Sequence, residues 1–141
     1  MEAPDPSGSG NPAMLSGARV IAFAATAQPE RARAFYGGTL GLPLVEENAF
    51  ALVFDANGVG LRVQKVETAS PPPYTSLGWA VGSIRDTVRA LSEEGVAVER
   101  YPFLQQDEQG IWHSPSGARV AWFRDPDGNL LSVVEHMATG A

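Results

Sequence analysis

Cysteine is absent from the 141 residues, which excludes disulfides, thiolate zinc sites and a cysteine nucleophile. Histidine is scarce, with only His113 and His136 present, so a histidine-rich metal cage is excluded too. No apolar run approaches the roughly 20 residues a membrane-crossing helix needs. The opening Met1-Glu2-Ala3-Pro4-Asp5-Pro6 lacks the basic and apolar regions of a secretory leader. Basic residues are outnumbered by acidic ones, 10 against 16, for a formal net charge of -6. Phosphate binding needs clustered Lys and Arg, so no nucleic-acid footprint is expected. These absences imply a cytoplasmic protein with neither membrane nor nucleic acid as a partner.

What is present suffices for one folded domain. Hydrophobic residues make up 44% of the chain and charged residues 18%, enough apolar surface to bury a core. Residues 1–17 are rich in Gly, Pro, Ser and Ala without periodicity and read as a flexible N-terminal tail. Residues 137–141 read as a flexible C-terminus. The single domain is placed at 18–136, in two modules at 18–68 and 74–136. The Pro71-Pro72-Pro73 run between them is a stiff extended connector.

The two modules repeat one order of elements. In the first, Val20 to Ala25 is an apolar strand, and a helix begins near Pro29, whose missing N–H is harmless at the first helical position. Ala32, Phe35, Tyr36 and Leu40 form its buried stripe. Gly37 and Gly38 weaken its last turn. Strands follow at 42–47, 49–54 and 59–66, with Asn57-Gly58 as a hairpin turn because both residues tolerate positive φ. In the second module, a strand at 77–81 precedes a helix announced by Ser83-Ile84-Arg85-Asp86, an S-x-x-D capping box. Strands are then predicted at 96–101, 118–124 and 130–135, with Asp125-Pro126-Asp127-Gly128-Asn129 as the last turn.

Helix starts Pro29 and Ile84 lie 55 residues apart, helix stops Gly41 and Gly95 lie 54 apart, and hairpin glycines Gly58 and Gly128 lie 70 apart. The second copy therefore carries an insert of about 15 residues, placed at 102–117 between its first and second hairpin strands. An insert of that length is either a binding lid or a solvated loop. Trp112 tilts it toward the lid. Neither β-α-β-β-β unit can cover its own sheet. Pairing them predicts an α+β fold, two βαβββ modules forming a curved mixed sheet around a central cavity.

Two segments carry a family resemblance. Pro29-Glu30-Arg31-Ala32-Arg33-Ala34-Phe35-Tyr36 with Leu40-Gly41-Leu42 resembles the first-helix signature of the vicinal oxygen chelate superfamily, and Trp122 to Leu130 resembles its C-terminal signature. That group contains glyoxalase I, extradiol dioxygenases, fosfomycin-resistance enzymes and bleomycin-resistance proteins. The resemblance covers roughly residues 18–136 and implies a glyoxalase/bleomycin resistance-like fold and a homodimer. The motifs encode a helix anchor and a hairpin, so they specify fold rather than chemistry.

The resemblance also implies where a divalent metal would sit, on inward-facing positions held in relatives by His, His, Glu and Glu or Gln. Here those positions carry Ile21, Ser76, Arg62 and Ser132. An aliphatic side chain and two hydroxyls do not supply the donors such an ion needs, and a guanidinium repels it. No metal and no other cofactor is therefore expected. The reading moves to the branch whose bleomycin-resistance-like members bind a small organic molecule. Its ligand-binding walls are assigned to Ile21, Phe23, Arg62, Ser76, Trp112, Trp122 and Ser132. The alternatives are a lyase or isomerase with atypical metal ligands, or a ligand-free structural or regulatory protein.

Individual residues carry competing readings. Arg62, if inward, needs an anion from Glu46, Glu47 or a ligand; if outward, it is an exposed edge arginine. His113 would need Asp107 or Glu108 to act as an acid or base, and a solvated loop position weighs more. His136 and Glu135 read chiefly as a chain end. Trp79 shares the parity of Leu77 and Val81 and belongs to the core, Phe23 shares that of Ile21 and faces the cavity, and Trp122 stays open between the two faces.

Overall fold

A computed structural model describes residues 14–136. The tail at residues 1–13 and the end at 137–141 lie outside the described residues. The described residues form eight strands: β1 (Ile21–Thr26), β2 (Leu44–Glu47), β3 (Ala51–Ala56), β4 (Val59–Lys65), β5 (Leu77–Ala80), β6 (Trp112–His113), β7 (Arg119–Arg124) and β8 (Leu130–Glu135). The helices are α1 (Pro29–Ala32), which runs on as a π-helical segment over Arg33–Thr39, and α2 (Ile84–Glu93). The strands form two four-stranded sheets, ordered β1-β4-β3-β2 and β5-β8-β7-β6. In each, the first strand of the module runs parallel to its last, β1 with β4 and β5 with β8, so the same chain path is repeated. No helix among the described residues is long and apolar enough to cross a membrane.

Local sequence explains most of the elements. Asn57 and Gly58 both take positive φ, 54° and 93°, closing a two-residue hairpin between Ala56 and Val59. Ser83 caps α2, its side chain accepting from the Asp86 N–H at 3.2 Å. Pro29 opens α1. Beyond Ala32 the turns widen, and the Leu40 N–H reaches back five residues to the Phe35 carbonyl at 2.8 Å. The Gly37-Gly38 pair lies in this segment and weakens the tighter α form.

The two modules share one core. Alternate residues of the central strands point to it: Leu52 and Phe54 from β3, Leu61 and Val63 from β4, Ala121 and Phe123 from β7, Leu131 and Val133 from β8. Ala32 and Tyr36 from the first helix, and Ile84, Val88 and Leu91 from α2, cover them. Phe35 contacts Tyr36 edge-on at 5.2 Å and Phe123 of the other sheet at 6.4 Å. The Asp125–Asn129 turn locks the halves together. Tyr36 donates its hydroxyl to Asp125 Oδ2 at 2.5 Å, the Asn129 amide donates to the Ala25 carbonyl, and the Ala27 N–H donates to Asp127 Oδ1. Burial, followed by the neighbouring Asp125 charge, pushes the Tyr36 hydroxyl far above its ordinary range.

The second module departs from the sequence expectation between α2 and β7. No strand forms at 96–101, although Val96 and Val98 do pack against the core. The ladder partner of β7 is instead Trp112–His113, inside the expected insert, so the extra residues precede the first hairpin strand rather than follow it. Residues 96–101 keep one backbone bond to β7, from the Glu99 N–H to the Trp122 carbonyl at 2.7 Å. Pro102 has no N–H with which to continue a ladder. The Gln106 side chain replaces it, accepting from the Tyr101 N–H and donating to the Glu99 and Gly110 carbonyls.

Candidate functional site

Every strand has a second face, opposite the core, and the residues singled out as ligand walls lie on it, except Ser76, which precedes β5. On the first sheet, register puts Phe23 of β1 beside Arg62 of β4, and Arg62 beside Val53 of β3. Ile21, two residues before Phe23, shares that face. Ile21 and Phe23 are half-exposed, at 52% and 51%, a large solvent-facing apolar area for one short strand. On the second sheet, Ser132 of β8 lies between Gly78 of β5 and Trp122 of β7. The register thus resolves Trp122 to the face away from the core, while Trp79 packs against the core.

Trp112 of β6 joins Trp122, their ring centres 6.0 Å apart, and Tyr101 meets Trp122 edge-on at 5.7 Å. Phe103 extends the cluster, 5.4 Å from Tyr101. These rings make an aromatic wall of the kind that stacks on planar molecules. The Tyr101 hydroxyl is buried without a hydrogen-bond partner among the described residues, which costs about 1–3 kcal/mol unless another group satisfies it. Sequence reasoning passed over Tyr101, because only the irregular path of 96–101 brings it to Trp122. Gly78 was also passed over. A Cβ there would meet the Ser132 Oγ at 2.7 Å, so the absence of a side chain is what lets Ser132 lie against the β5 backbone.

Beside β1, Phe23, Gln64, Ser76 and Asn129 line a hollow of about 240 Å³. Of the assigned wall residues, Phe23 and Ser76 line it and the other five do not. Ser76 leans on the strand end, its N–H donating to the Leu130 carbonyl at 2.9 Å. Ile21, Phe23 and Arg62 form one group on the first sheet; Trp112, Trp122 and Ser132 form another on the second. A larger hollow of about 430 Å³ lies on the helix side of the second sheet and contains none of these residues.

The charges around the face are settled except for one. Glu47, one candidate partner for Arg62, is taken by Arg33 at 2.8 Å and Lys65 at 3.0 Å, and the hydrogen bond from Arg33 followed by that from Lys65 holds its carboxyl below the usual range. Glu46 accepts from Asn48 at 2.8 Å. Among the described residues none forms an ion pair or side-chain hydrogen bond with Arg62. Glu135 is engaged structurally, accepting from the Ile84 N–H at the start of α2 and from Arg119. His136 is exposed. His113 Nε2 stands 4.0 Å from Asp107 Oδ2 and is 53% exposed. Burial raises the Asp107 carboxyl, but the Ile111 and Gln109 N–H groups and Arg85 outweigh it and leave the group below its ordinary range.

The positions that in metal-binding relatives would carry the ion do not fit one. Ile21 has no donor atom, Arg62 is a cation, and Ser76 and Ser132 are single hydroxyls on the other sheet. No cluster of three or more His, Asp or Glu side chains able to hold an ion exists among the described residues.

Two βαβββ units with parallel outer strands, sharing a core and presenting a second sheet face, define a protein of the glyoxalase-like fold class. The family model described as Glyoxalase/Bleomycin resistance protein/Dioxygenase superfamily matches residues 20–133, and the chain belongs to that superfamily. Solved structures agree on the fold. A lactoylglutathione lyase from Agrobacterium tumefaciens superposes with a TM-score of 0.67 at 15% identity, covering 85% of this chain and 95% of its own. A glyoxalase/bleomycin resistance protein/dioxygenase from Alicyclobacillus acidocaldarius gives 0.66 at 15% identity, covering 88% and 95%. A genomically encoded fosfomycin resistance protein from Listeria monocytogenes gives 0.65 at 12% identity, covering 85% and 93%. A search of curated proteins found no match.

Proposed function

We propose that the protein binds a small, planar organic anion, without a metal, on the strand faces of the two sheets that point away from the core. The observation that carries this reading is the pairing of an aromatic wall, Trp112, Trp122 and Tyr101, with an arginine on the same class of face that no described carboxylate neutralises. Stacking and apolar burial supply affinity at roughly 25 cal/mol per Å². The Arg62 guanidinium takes a carboxylate or phosphate through paired N–H donors, and Ser76, Ser132 and the Tyr101 hydroxyl orient polar substituents. Ile21 and Phe23 close the apolar side. The donor set argues against the metal chemistry of the superfamily's enzymes, and no reaction step is assigned.

A homodimer accompanies this reading. The exposed Leu44 and Val45 of the edge strand β2 offer a second copy an apolar edge that leaves Ile21 and Phe23 to the ligand. The test is a thermal-shift screen of aromatic carboxylates, phosphates and neutral analogues in the presence of EDTA. A ligand at 100 times its dissociation constant adds roughly 2.7 kcal/mol. Stabilisation by anionic aromatics that disappears in Trp122→Ala and Arg62→Ala supports the reading. Stabilisation only by divalent metals contradicts it.

A further inference from the structure

The helix side of the second sheet holds a feature that the sheet face does not use. A cavity of about 430 Å³ lies between the end of the first helix and α2, within the roughly 300–1,000 Å³ range of small-molecule pockets. Its walls are apolar: Leu40 and Leu42 from the end of the first helix, Trp79 from β5, Phe123 from β7 and Val133 from β8. Phe123 and Val133 adjoin Trp122 and Ser132 in sequence but point the other way, so this cavity and the sheet face lie back to back across one sheet.

Its mouth is acidic. Glu93 and Glu94 line it, and among the described residues no cation pairs with either. They stand at the C-terminal end of α2, where the helix already presents a partial negative charge, and the last turn of α2 contains no basic residue. The nearest helical arginine, Arg89, is paired with Asp86 at 2.9 Å. Two carboxylates at the negative end of a helix repel both the helix end and each other, and a bound cation relieves both. The Trp79 ring adds attraction for a cation on the wall.

We propose that this cavity is a second ligand site and that it takes a small organic amine, with the apolar body among Leu42, Trp79, Phe123 and Val133 and the ammonium at Glu93 and Glu94. The site is independent of the sheet-face reading.

The test is calorimetric titration of the full chain with three matched probes, 4-phenylbutylamine, 4-phenylbutanol and 4-phenylbutanoate. The amine binds tightest and the carboxylate weakest, and the advantage of the amine shrinks as salt is raised. The Glu93→Gln/Glu94→Gln variant, altered only at exposed positions, weakens the amine roughly fivefold, to the level of the alcohol, and leaves the alcohol unchanged. Ala90→Phe, which places a ring in the mouth, removes binding of all three. Equal affinity for the three probes overturns the proposal, as does an unaltered preference for the amine in the double glutamine variant. Amide shifts that map the amine to Trp122 and Ser132 rather than to Thr39, Ala90 and Val133 overturn it as well. A concentration-dependent dimer that buries Ala90 and shuts out every probe gives the cavity to a second copy, which also overturns it.

Discussion

Replacing Tyr36 by Phe removes one oxygen from the middle of the molecule, and the structure sets the size of the effect. Tyr36 is fully buried, and its hydroxyl donates to a carboxylate, Asp125 Oδ2, at 2.5 Å. Hydrogen bonds to charged groups contribute about 1.5–3 kcal/mol. Asp125 keeps the Asn129 amide and the Asp127 and Asn129 N–H groups as donors, so its charge is not orphaned and the lower part of that range applies, about 1.5–2 kcal/mol. For a domain of this size that lowers Tm by about 5–8 °C.

The same contact has a pH signature. Burial raises the Tyr36 hydroxyl far above the ordinary tyrosine value of about 10, so the folded protein keeps this proton after the unfolded chain has released it. The unfolded state then binds fewer protons, and stability falls by up to about 1.4 kcal/mol per pH unit. The contribution is complete below pH 10 and is lost above it. Urea titrations followed by far-UV circular dichroism measure it: wild type exceeds Tyr36→Phe by about 1.5–2 kcal/mol at pH 7, and the gap closes above pH 10. A gap under about 0.5 kcal/mol at pH 7, or one that stays constant to pH 11, would refute the latch.

Other predictions follow from single contacts. Gly78→Ala costs about 1–3 kcal/mol by forcing its Cβ toward the Ser132 Oγ, and adding Ser132→Ala recovers part of the loss in a double-mutant cycle; strict additivity would deny the contact. Gly58→Ala, at φ 93°, costs about 1–2 kcal/mol by chemical denaturation, whereas the same change at Gly38, with open space around it, is neutral or stabilising. Glu135→Ala removes the acceptor at the start of α2 and the partner of Arg119; it costs about 1–2 kcal/mol and speeds amide exchange at Ile84.

Local chemistry made much of the fold readable. Asn57-Gly58 and Ser83-x-x-Asp86 act as their residue types dictate, because turn and cap energetics are settled within four residues. The alternation of Leu61-Arg62-Val63 and Trp122-Phe123 separates core from second face, but which face Arg62 and Trp122 take stayed open until the strand register fixed it. Long-range contacts were not readable. Nothing local announces that Glu135 will serve the start of a helix 51 residues away, or that Asp125 will accept from Tyr36 across 89 residues. The strand expected at 96–101 shows the limit of pattern. Its valines are half-buried against the core as a strand's would be, but Pro102 and the Gln106 amide take the chain off the ladder, and β6 arises in two residues too few for any periodicity to reveal. That detour is also what carries Tyr101 to Trp122. At the site, parity grouped Phe23 with Ile21, but the place of Arg62 beside Phe23 and the engagement of Glu47 by Arg33 and Lys65 needed coordinates.

The central claim is that the strand faces turned away from the core bind an organic anion through Trp122 and Arg62 with no ion between protein and ligand. Its most direct measurement is the affinity of a stabilising aromatic carboxylate, by calorimetry, on protein stripped with EDTA and on the same protein resupplied with zinc, nickel or manganese. Equal affinities in the two preparations, lowered at least tenfold by Arg62→Ala, are the predicted result. Binding that vanishes on stripping, returns with one metal and ignores Arg62→Ala would contradict the account.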